Sequence, residues 1–262
     1  MPPVYDPALD HALAGFTQAD LVVLAGPSLI DSPLTAPAAH LLLPPVQDGD
    51  LTALLARTPS PATALMIDGY FGAGQAVSLT EIQEALSRGV RLYGCSSMGA
   101  LRAVEARPWG MIGLGDIFAD FLTGRRTADE NVALLHDDEF RSLTAATVNV
   151  DLLCTLLTAE GIPAAHCREF GRRARRLYFG DRSYSALHQL ARACFAGNSG
   201  LDLDALEFVL HQLAAPQRAS WDAKRRDAER AIHDVALGLA PTTVPSGLIP
   251  VPEHVGAVLA EA

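Results

Sequence analysis

The sequence predicts an α/β protein in which helices flank a parallel, doubly wound sheet and a mostly helical region follows. Two patterns carry this prediction. Through residue 107, short apolar segments alternate with helix-like segments, the pattern of parallel strands joined by right-handed crossovers. From Val148 to about Leu239, the apolar residues recur almost entirely at helical spacing. The chain has 262 residues, 49% of them hydrophobic, which suffices for one large domain or one domain with a helical appendage.

Four strands are expected, each a short apolar run that stops at a glycine, a proline or a polar residue. In chain order they cover Leu21–Ala25, His40–Leu43, Ala64–Ile67 and Val90–Cys95. A short helix is predicted over residues 50–57, and Ser78 or Thr80 is expected to cap the helix that precedes the last strand.

After Pro108 the pattern changes to a helix that ends at Gly124, and Val132–Leu135 has the composition of a further strand. The later helices are predicted over residues 152–157, 170–178, 187–195, 203–213 and 221–237. These elements divide the chain into an α/β core over residues 1–155, a helical region over 156–240, and a Pro- and Gly-rich tail over 241–262.

Composition excludes several classes of protein. A formal net charge of −10 argues against a general nucleic-acid binder, which would carry a basic face. The four cysteines form no Cys-x-x-Cys pair, and no apolar run approaches the roughly 20 residues that cross a bilayer. We therefore expect a cytoplasmic protein with reduced thiols and no membrane contact. The histidines lack metal-ligand spacing, so neither a metal nor a cofactor is predicted.

Ser97 stands where the fourth strand turns into a helix. A hydroxyl at such a corner lies beside free N–H groups of a helix N-terminus, where a developing negative charge is stabilised. Centred on Ser97, the sequence reads Cys-x-Ser-x-Gly, one residue short of the nucleophile-elbow pattern. Ser97 is therefore either a nucleophile for acyl chemistry or a plain helix cap.

Polar residues follow three of the predicted strands. Ser28 comes after the first strand, Asp68 after the third, and Ser96 with Ser97 after the fourth. Ligands bind outside the carboxyl ends of strands in open parallel sheets, so these residues are expected to meet at one site, with Gly69 admitting backbone close to a bound group. Each also has a structural interpretation, since Ser28 and Asp68 are common in turns.

Three further residues are weighed for this site. Glu105 lies eight residues beyond Ser97, roughly 12 Å along a helix, so we expect an Arg102–Glu105 ion pair that braces the site and takes no part in the reaction. His136 is a candidate base for Ser97 by its ordinary pKa, and a structural histidine by default.

A run of five arginines lies between Arg168 and Arg176. Such a run is usually a solvated helix face. On so acidic a protein it is alternatively a surface that docks an acidic partner.

Five strings of this sequence resemble the TfuA-like family, which accompanies YcaO enzymes in backbone thioamidation of ribosomal peptides. The similarity covers roughly residues 20–155 and is carried by residues 25–29 (AGPSL), 68–71 (DGYF), 96–105 (SSMGALRAVE), 110–118 (GMIGLGDIF) and 129–133 (DENVA) with His136. The chain departs from the family where a Trp-His-Lys-Glu segment is common, because here it reads Ser-Leu-Thr-Glu and keeps only Glu81.

The resemblance implies a supply of sulfur. TfuA-like proteins are thought to hydrolyse the C-terminal thiocarboxylate of a ThiS-like carrier, so the implied partners are that carrier and a YcaO-type enzyme, with a possible homo-oligomer. In the implied mechanism Ser97 or a water beside it attacks the carbonyl carbon. The N–H groups of Met98 and Gly99 hold the oxyanion, and His136 or Asp68 moves the proton.

Two other functions stay open at this point. The chain is alternatively a non-catalytic adaptor that brings the carrier to the YcaO enzyme, with the helical region as its docking surface. It is also compatible with a generic α/β-type esterase or thioesterase.

Overall fold

A computed structural model of the chain describes residues 21–32, 41–57, 60–72, 74–195 and 203–245. The sheet contains β1 (Leu21–Leu24), β2 (Leu41–Leu43), β3 (Thr63–Met66), β4 (Arg91–Gly94) and β5 (Ile112–Gly113). All neighbouring pairs are parallel, and the order across the sheet is β2-β1-β3-β4-β5. The predicted α/β class and parallel sheet are confirmed. The first four strands match the predicted ones, whereas β5 was not predicted.

This strand order reverses direction at β1, because the chain first adds β2 on one side of it and then β3 on the other. Loops that follow β1 and β3 therefore leave the sheet side by side at its carboxyl edge. In open sheets of this order, that point is where ligands bind.

The helices of the first half are α1 (Asp50–Leu55), α2 (Leu79–Ser87), α3 (Met98–Glu105) and α4 (Gly115–Leu122). Ser78, one of the two predicted caps, caps α2. Its Oγ accepts a hydrogen bond from the Glu81 N–H at 3.2 Å. The Glu81 carboxylate in turn accepts one from the Ser78 N–H, which completes a capping box. The other oxygen of Glu81 accepts hydrogen bonds from the start of α1, including one from Gly49 N at 3.0 Å. Glu81 thus joins two helices.

The second half is helical, as predicted. It contains α5 (Thr147–Ala159), α6 (Ala164–Arg176), α7 (Tyr184–Phe195), α8 (Leu203–Gln212) and α9 (Ala223–Ala236). The strand predicted over Val132–Leu135 is wrong: these residues form no strand, and one isolated bridge joins His136 to Ser142. Residues 246–262, most of the predicted tail, lie outside the described part of the chain.

The chain folds into two compact units. The sheet unit comprises residues 1–127 and 225–262, and the helical unit comprises residues 128–224. These boundaries differ from the one expected at residue 155, because α9 packs its Ala228, Ala231 and Ile232 into the apolar cluster on one face of the sheet. The helical unit has its own core, built around Phe170, Phe195 and Trp221.

Candidate active site

Asp68 ties together the loops that follow β1 and β3. Its Oδ2 accepts hydrogen bonds from Gly26 N at 2.9 Å and Ser28 N at 2.8 Å, and its Oδ1 accepts one from Ser28 Oγ at 2.7 Å. Both side chains are buried. The turn after β1 is therefore folded around the Asp68 carboxylate from the loop after β3. This contact brings Ser28 and Asp68 together at the point where the strand order reverses.

Ser96 extends this pair into a chain of three side chains. Its Oγ donates to Ser28 Oγ at 3.2 Å, and Ser28 Oγ donates onward to Asp68. Ser96 also has a φ of +63°, a conformation that costs about 1–2 kcal/mol for a residue with a Cβ. A serine held in this conformation between a strand and a helix is the local geometry of a nucleophile elbow.

Ser97 occupies the N-cap position of α3, but its side chain makes no capping hydrogen bond. Its backbone N–H bends back to Cys95 O at 2.7 Å, and its side chain is buried. Within the described residues, the hydrogen-bonded chain that leads to Asp68 passes through Ser96. Ser96 and not Ser97 is therefore the serine that these hydrogen bonds join to Asp68, although both residues stand at the corner that the sequence predicted, and the role of Ser97 stays a prediction.

Helix α3 lies unusually close to the strands beneath this corner. A Cβ built on Gly99 would come within 1.8 Å of Met66 O. The Gly99 N–H donates to Ile67 O at 3.1 Å, so it is not free to bind an oxyanion as the sequence-based mechanism required. The Met98 N–H, at the first position of α3, has no acceptor within the helix by geometry and is the remaining donor of the two.

Asp227 accepts hydrogen bonds on the other side of the corner, and no pattern in the sequence indicates this role. Its Oδ2 accepts a hydrogen bond from Ser96 N at 2.9 Å, and its Oδ1 accepts one from Asp116 N at 2.7 Å at the start of α4. The side chain is buried, and this burial raises the pKa of Asp227 to about 6 despite the N–H donors that favour the charged form.

Gly115 makes room for Asp227. Its φ is +85°, and a Cβ at this position would lie 2.1 Å from Asp227 Oδ1. Asp227 belongs to α9, in a stretch whose many charged residues are typical of a solvated helix face. Its role follows from the return of the chain to the sheet unit, which no local pattern predicts.

Cys95 precedes the corner and does not serve as a second nucleophile. It is fully buried, and burial together with the nearby Asp227 and Asp68 carboxylates raises the pKa of its thiol well above the ordinary value. The thiol stays protonated near neutral pH, so Cys95 acts as a small apolar residue.

The remaining predicted residues lie around this centre or outside it. Gly69 packs so closely that an added Cβ would lie 2.8 Å from Met98 Cγ. Arg102 and Glu105 form an ion pair at 2.5 Å, and Arg102 Nε also donates to Val77 O at 3.0 Å. His136 belongs to the helical unit, where its Nδ1 lies 2.8 Å from Asp137 O. Its role as the base for Ser97 stays a prediction.

Among the residues that the structure describes, no group of three or more His, Cys, Asp or Glu side chains is placed to bind a metal ion. Within the same residues, none of the helices combines the length and the apolar composition needed to cross a membrane.

Comparison with known proteins identifies one family. The model of the TfuA-like protein family matches residues 68–183, which confirms the resemblance for a segment that contains Asp68, Ser96, Ser97 and His136. The matched segment begins after Ser28 and ends before Asp227. A search of curated proteins found no match to the chain.

Proposed function

We propose that this chain, whose residues 68–183 match the TfuA-like family, releases sulfide by hydrolysing the C-terminal thiocarboxylate of a small sulfur-carrier protein. The family match supports the coarser role of an accessory protein for YcaO-type enzymes. The observation that carries the finer proposal is the hydrogen-bonded chain from Ser96 through Ser28 to Asp68 at the strained corner.

In the proposed reaction, Ser96 Oγ attacks the thiocarboxylate carbon and forms a C–O bond. The Ser96 proton passes to Ser28 Oγ while Ser28 gives its own proton to Asp68, which a strong hydrogen bond at 2.7 Å favours. Met98 N–H donates to the oxyanion. The C–S bond then breaks, and the proton returns along the same chain to the sulfur, which leaves as hydrosulfide.

Water completes the cycle by hydrolysing the acyl-serine ester. Asp68 takes a proton from this water through Ser28, and the Ser96 oxygen recovers it when the ester breaks. The net reaction converts a thiocarboxylate and one water into a carboxylic acid and hydrosulfide. The protein supplies a nucleophile, a proton relay and an oxyanion donor.

Burial of the site favours a protein substrate. Ser28, Asp68 and Ser96 are each at most 3% exposed, so the corner has to open before a carbonyl reaches Ser96. The free energy of binding a protein carrier can drive this opening, whereas a small ester makes too few contacts to contribute much. We therefore expect slow turnover of generic acyl esters, which separates this function from that of a general esterase.

The test is sulfide release from the thiocarboxylated carrier, measured for wild type, Ser96→Ala and Ser97→Ala. We expect Ser96→Ala to reduce the rate about 1000-fold and Ser97→Ala to reduce it less than about 10-fold. The two variants remove the same hydroxyl one residue apart, so each is the control for the other, and circular dichroism checks that both fold.

Three outcomes would contradict the proposal in different ways. A wild-type rate equal to the uncatalysed rate would overturn the hydrolase function and leave the adaptor. A loss of activity in Ser97→Ala alone would mean that Ser97, and not Ser96, is the nucleophile. Full activity in both variants would exclude covalent catalysis by either serine.

A further inference from the structure

Helices α5 and α6 of the helical unit enclose a groove on their outer side, here called the α5/α6 groove. Its volume is about 350 Å³. It is lined by residues of both helices, namely Asp151, Cys154, Thr155, Thr158, Ala164, Cys167, Arg168, Gly171 and Arg175. None of these residues belongs to the site proposed for hydrolysis.

Small side chains give the α5/α6 groove its depth. Ala164, Cys167 and Gly171 recur along α6 at spacings of three and four residues, so they share one stripe of the helix. A Cβ on Gly171 would lie 3.3 Å from Cys154 Sγ, so α5 and α6 leave little space for a side chain at position 171. A stripe of small residues allows another backbone to approach closely.

The thiols in the groove are unsuited to sulfur chemistry. Cys154 Sγ donates to Cys167 O at 3.2 Å, and burial raises the pKa of Cys154 to about 12. Burial also raises the pKa of Cys167. Both stay as thiols near neutral pH and act in the groove as small apolar residues.

One edge of the groove carries a row of positive charge. Arg168, Arg172 and Arg176 are exposed and lie four residues apart, a spacing of about 6 Å along a helix. Residues 168–176 hold five arginines and one glutamate, a local formal charge of +4 on a chain whose net charge is −10. This segment is therefore strongly basic in a protein that is acidic overall.

Internal ion pairs neutralise part of this charge, including that of Arg172 in the middle of the row, and leave its two ends available. Glu169 binds both Arg172, at 2.6 Å, and Arg173, at 2.6 Å, while Arg175 is paired with Asp151. Among the described residues, Arg168 and Arg176 have no carboxylate within ion-pair distance. The two ends of the row therefore present cations to solvent.

We infer that the α5/α6 groove docks an acidic helix of a partner protein. Carboxylates at every fourth residue of that helix face Arg168, Arg172 and Arg176, and its small or apolar side lies over Gly171. The inference rests on the positive charge at the edge of the groove, on the four-residue spacing of the arginines that carry it, and on the small side chains beside them. It does not depend on the hydrolysis proposed above.

The first experiment uses two labelled, alanine-rich peptides of about 15 residues in fluorescence anisotropy with the whole protein. One peptide carries three glutamates spaced four residues apart, and the other carries the same three distributed around the helix. We expect the first to bind at least about 10-fold more tightly and to weaken as salt rises. Equal affinities would overturn the inference.

The second experiment compares two triple variants of equal charge change. R168E/R172E/R176E alters the row, while R88E/R125E/R230E alters arginines whose side chains are 53–69% exposed elsewhere. We expect the first variant to lose at least about 10-fold in affinity for the patterned peptide and the second less than about 3-fold. Similar losses in both would show attraction to general positive charge and overturn the inference.

A third variant tests the groove apart from the charge. T155F/T158F fills it from two exposed positions and leaves every arginine in place. We expect this variant to weaken binding of the patterned peptide at least about 5-fold. Unchanged binding would mean that the arginines act without the groove, which contradicts the inference as stated.

Discussion

The two units both bury charged side chains, but of opposite sign. In the sheet unit, the buried carboxylates of Asp68 and Asp227 accept hydrogen bonds mostly from backbone N–H groups. In the helical unit, the fully buried guanidinium of Arg182 donates to the carbonyls of Leu177, Glu130 and Ala145 at 3.2–3.4 Å. In both units, separate segments of the backbone are thus joined through buried ionic side chains.

The two units differ in which groups the buried ionic side chains position. Arg182 joins backbone carbonyls and thereby fixes the packing of a helical core. The carboxylates of the sheet unit fix a serine at positive φ and align its hydroxyl with a second serine. Burial and satisfied hydrogen bonds are common to both arrangements, so they do not identify a functional site. The proposed function rests on the strained, hydrogen-bonded hydroxyl of Ser96.

The largest effect is expected from Arg182→Met, which tests the anchor of the helical unit. The substitution takes the donor from three carbonyls, of which that of Ala145 is buried, and leaves the core around it without its cation; we expect a loss of about 3–5 kcal/mol in the free energy of unfolding. Urea unfolding followed by the fluorescence of Trp221, which is buried in the same unit, measures it. Arg182→Lys keeps the charge, so it is expected to lose less. A loss below about 1 kcal/mol would mean that the anchor is dispensable.

Asp227→Asn tests the corresponding anchor of the sheet unit through its dependence on pH. The pKa of Asp227 is raised from 3.8 to about 6, so its ionisation disfavours the folded state. Its contribution to stability is fully present below pH 4 and is lost as pH rises through about 6. We expect the stability of wild type relative to Asp227→Asn to fall by about 3 kcal/mol between pH 3.5 and pH 7. Urea midpoints of both proteins across this range give the difference, and a difference independent of pH would refute the assignment.

Gly115→Ala separates the contact with Asp227 from backbone strain. Gly115 and Gly124 both have positive φ, but an added Cβ meets the Asp227 carboxylate at the first position and nothing within 4 Å at the second. We expect Gly124→Ala to cost about 1 kcal/mol and Gly115→Ala about 2 kcal/mol more. Thermal unfolding compares the two. Equal losses of stability in the two variants would show that the Asp227 side chain moves aside for the added Cβ at little energetic cost.

Ser28→Ala tests the relay with the smallest expected effect. It removes the hydroxyl between Ser96 and Asp68 while the Ser28 N–H still donates to Asp68. We expect sulfide release to fall about 10- to 100-fold, with little change in the free energy of unfolding. Unaltered release would mean that Ser96 loses its proton by another route.

The sequence predicted the first four strands because each is a continuous apolar run with a clear stop. It missed β5, since the two residues Ile112 and Gly113 are too short to show any period. It placed Ser28, Asp68 and Ser96 at one edge of the sheet, because strand ends meet there whatever the details. Which of Ser96 and Ser97 joins the hydrogen-bonded chain to Asp68 depends on the local geometry of the corner, including the positive φ of Ser96, which composition does not encode.

Asp227 was beyond prediction for a different reason. It lies in a helix with the charged composition of a solvent-facing element, 131 residues away from Ser96. The glycine that accommodates it, Gly115, was visible in the sequence, but its partner was not. The return of the chain to the sheet unit after residue 224 is absent from the sequence pattern for the same reason, since a long-range contact leaves no local signal.

The distance along the chain between Ser96 and Asp227 has a consequence for biosynthesis. The ribosome makes the corner first and must add 131 further residues before its anchoring carboxylate exists, which takes roughly 7–26 s at typical elongation rates. During that interval the strained serine has no Asp227 to hold it. The nascent chain therefore acquires the complete corner only after the whole helical unit has been translated.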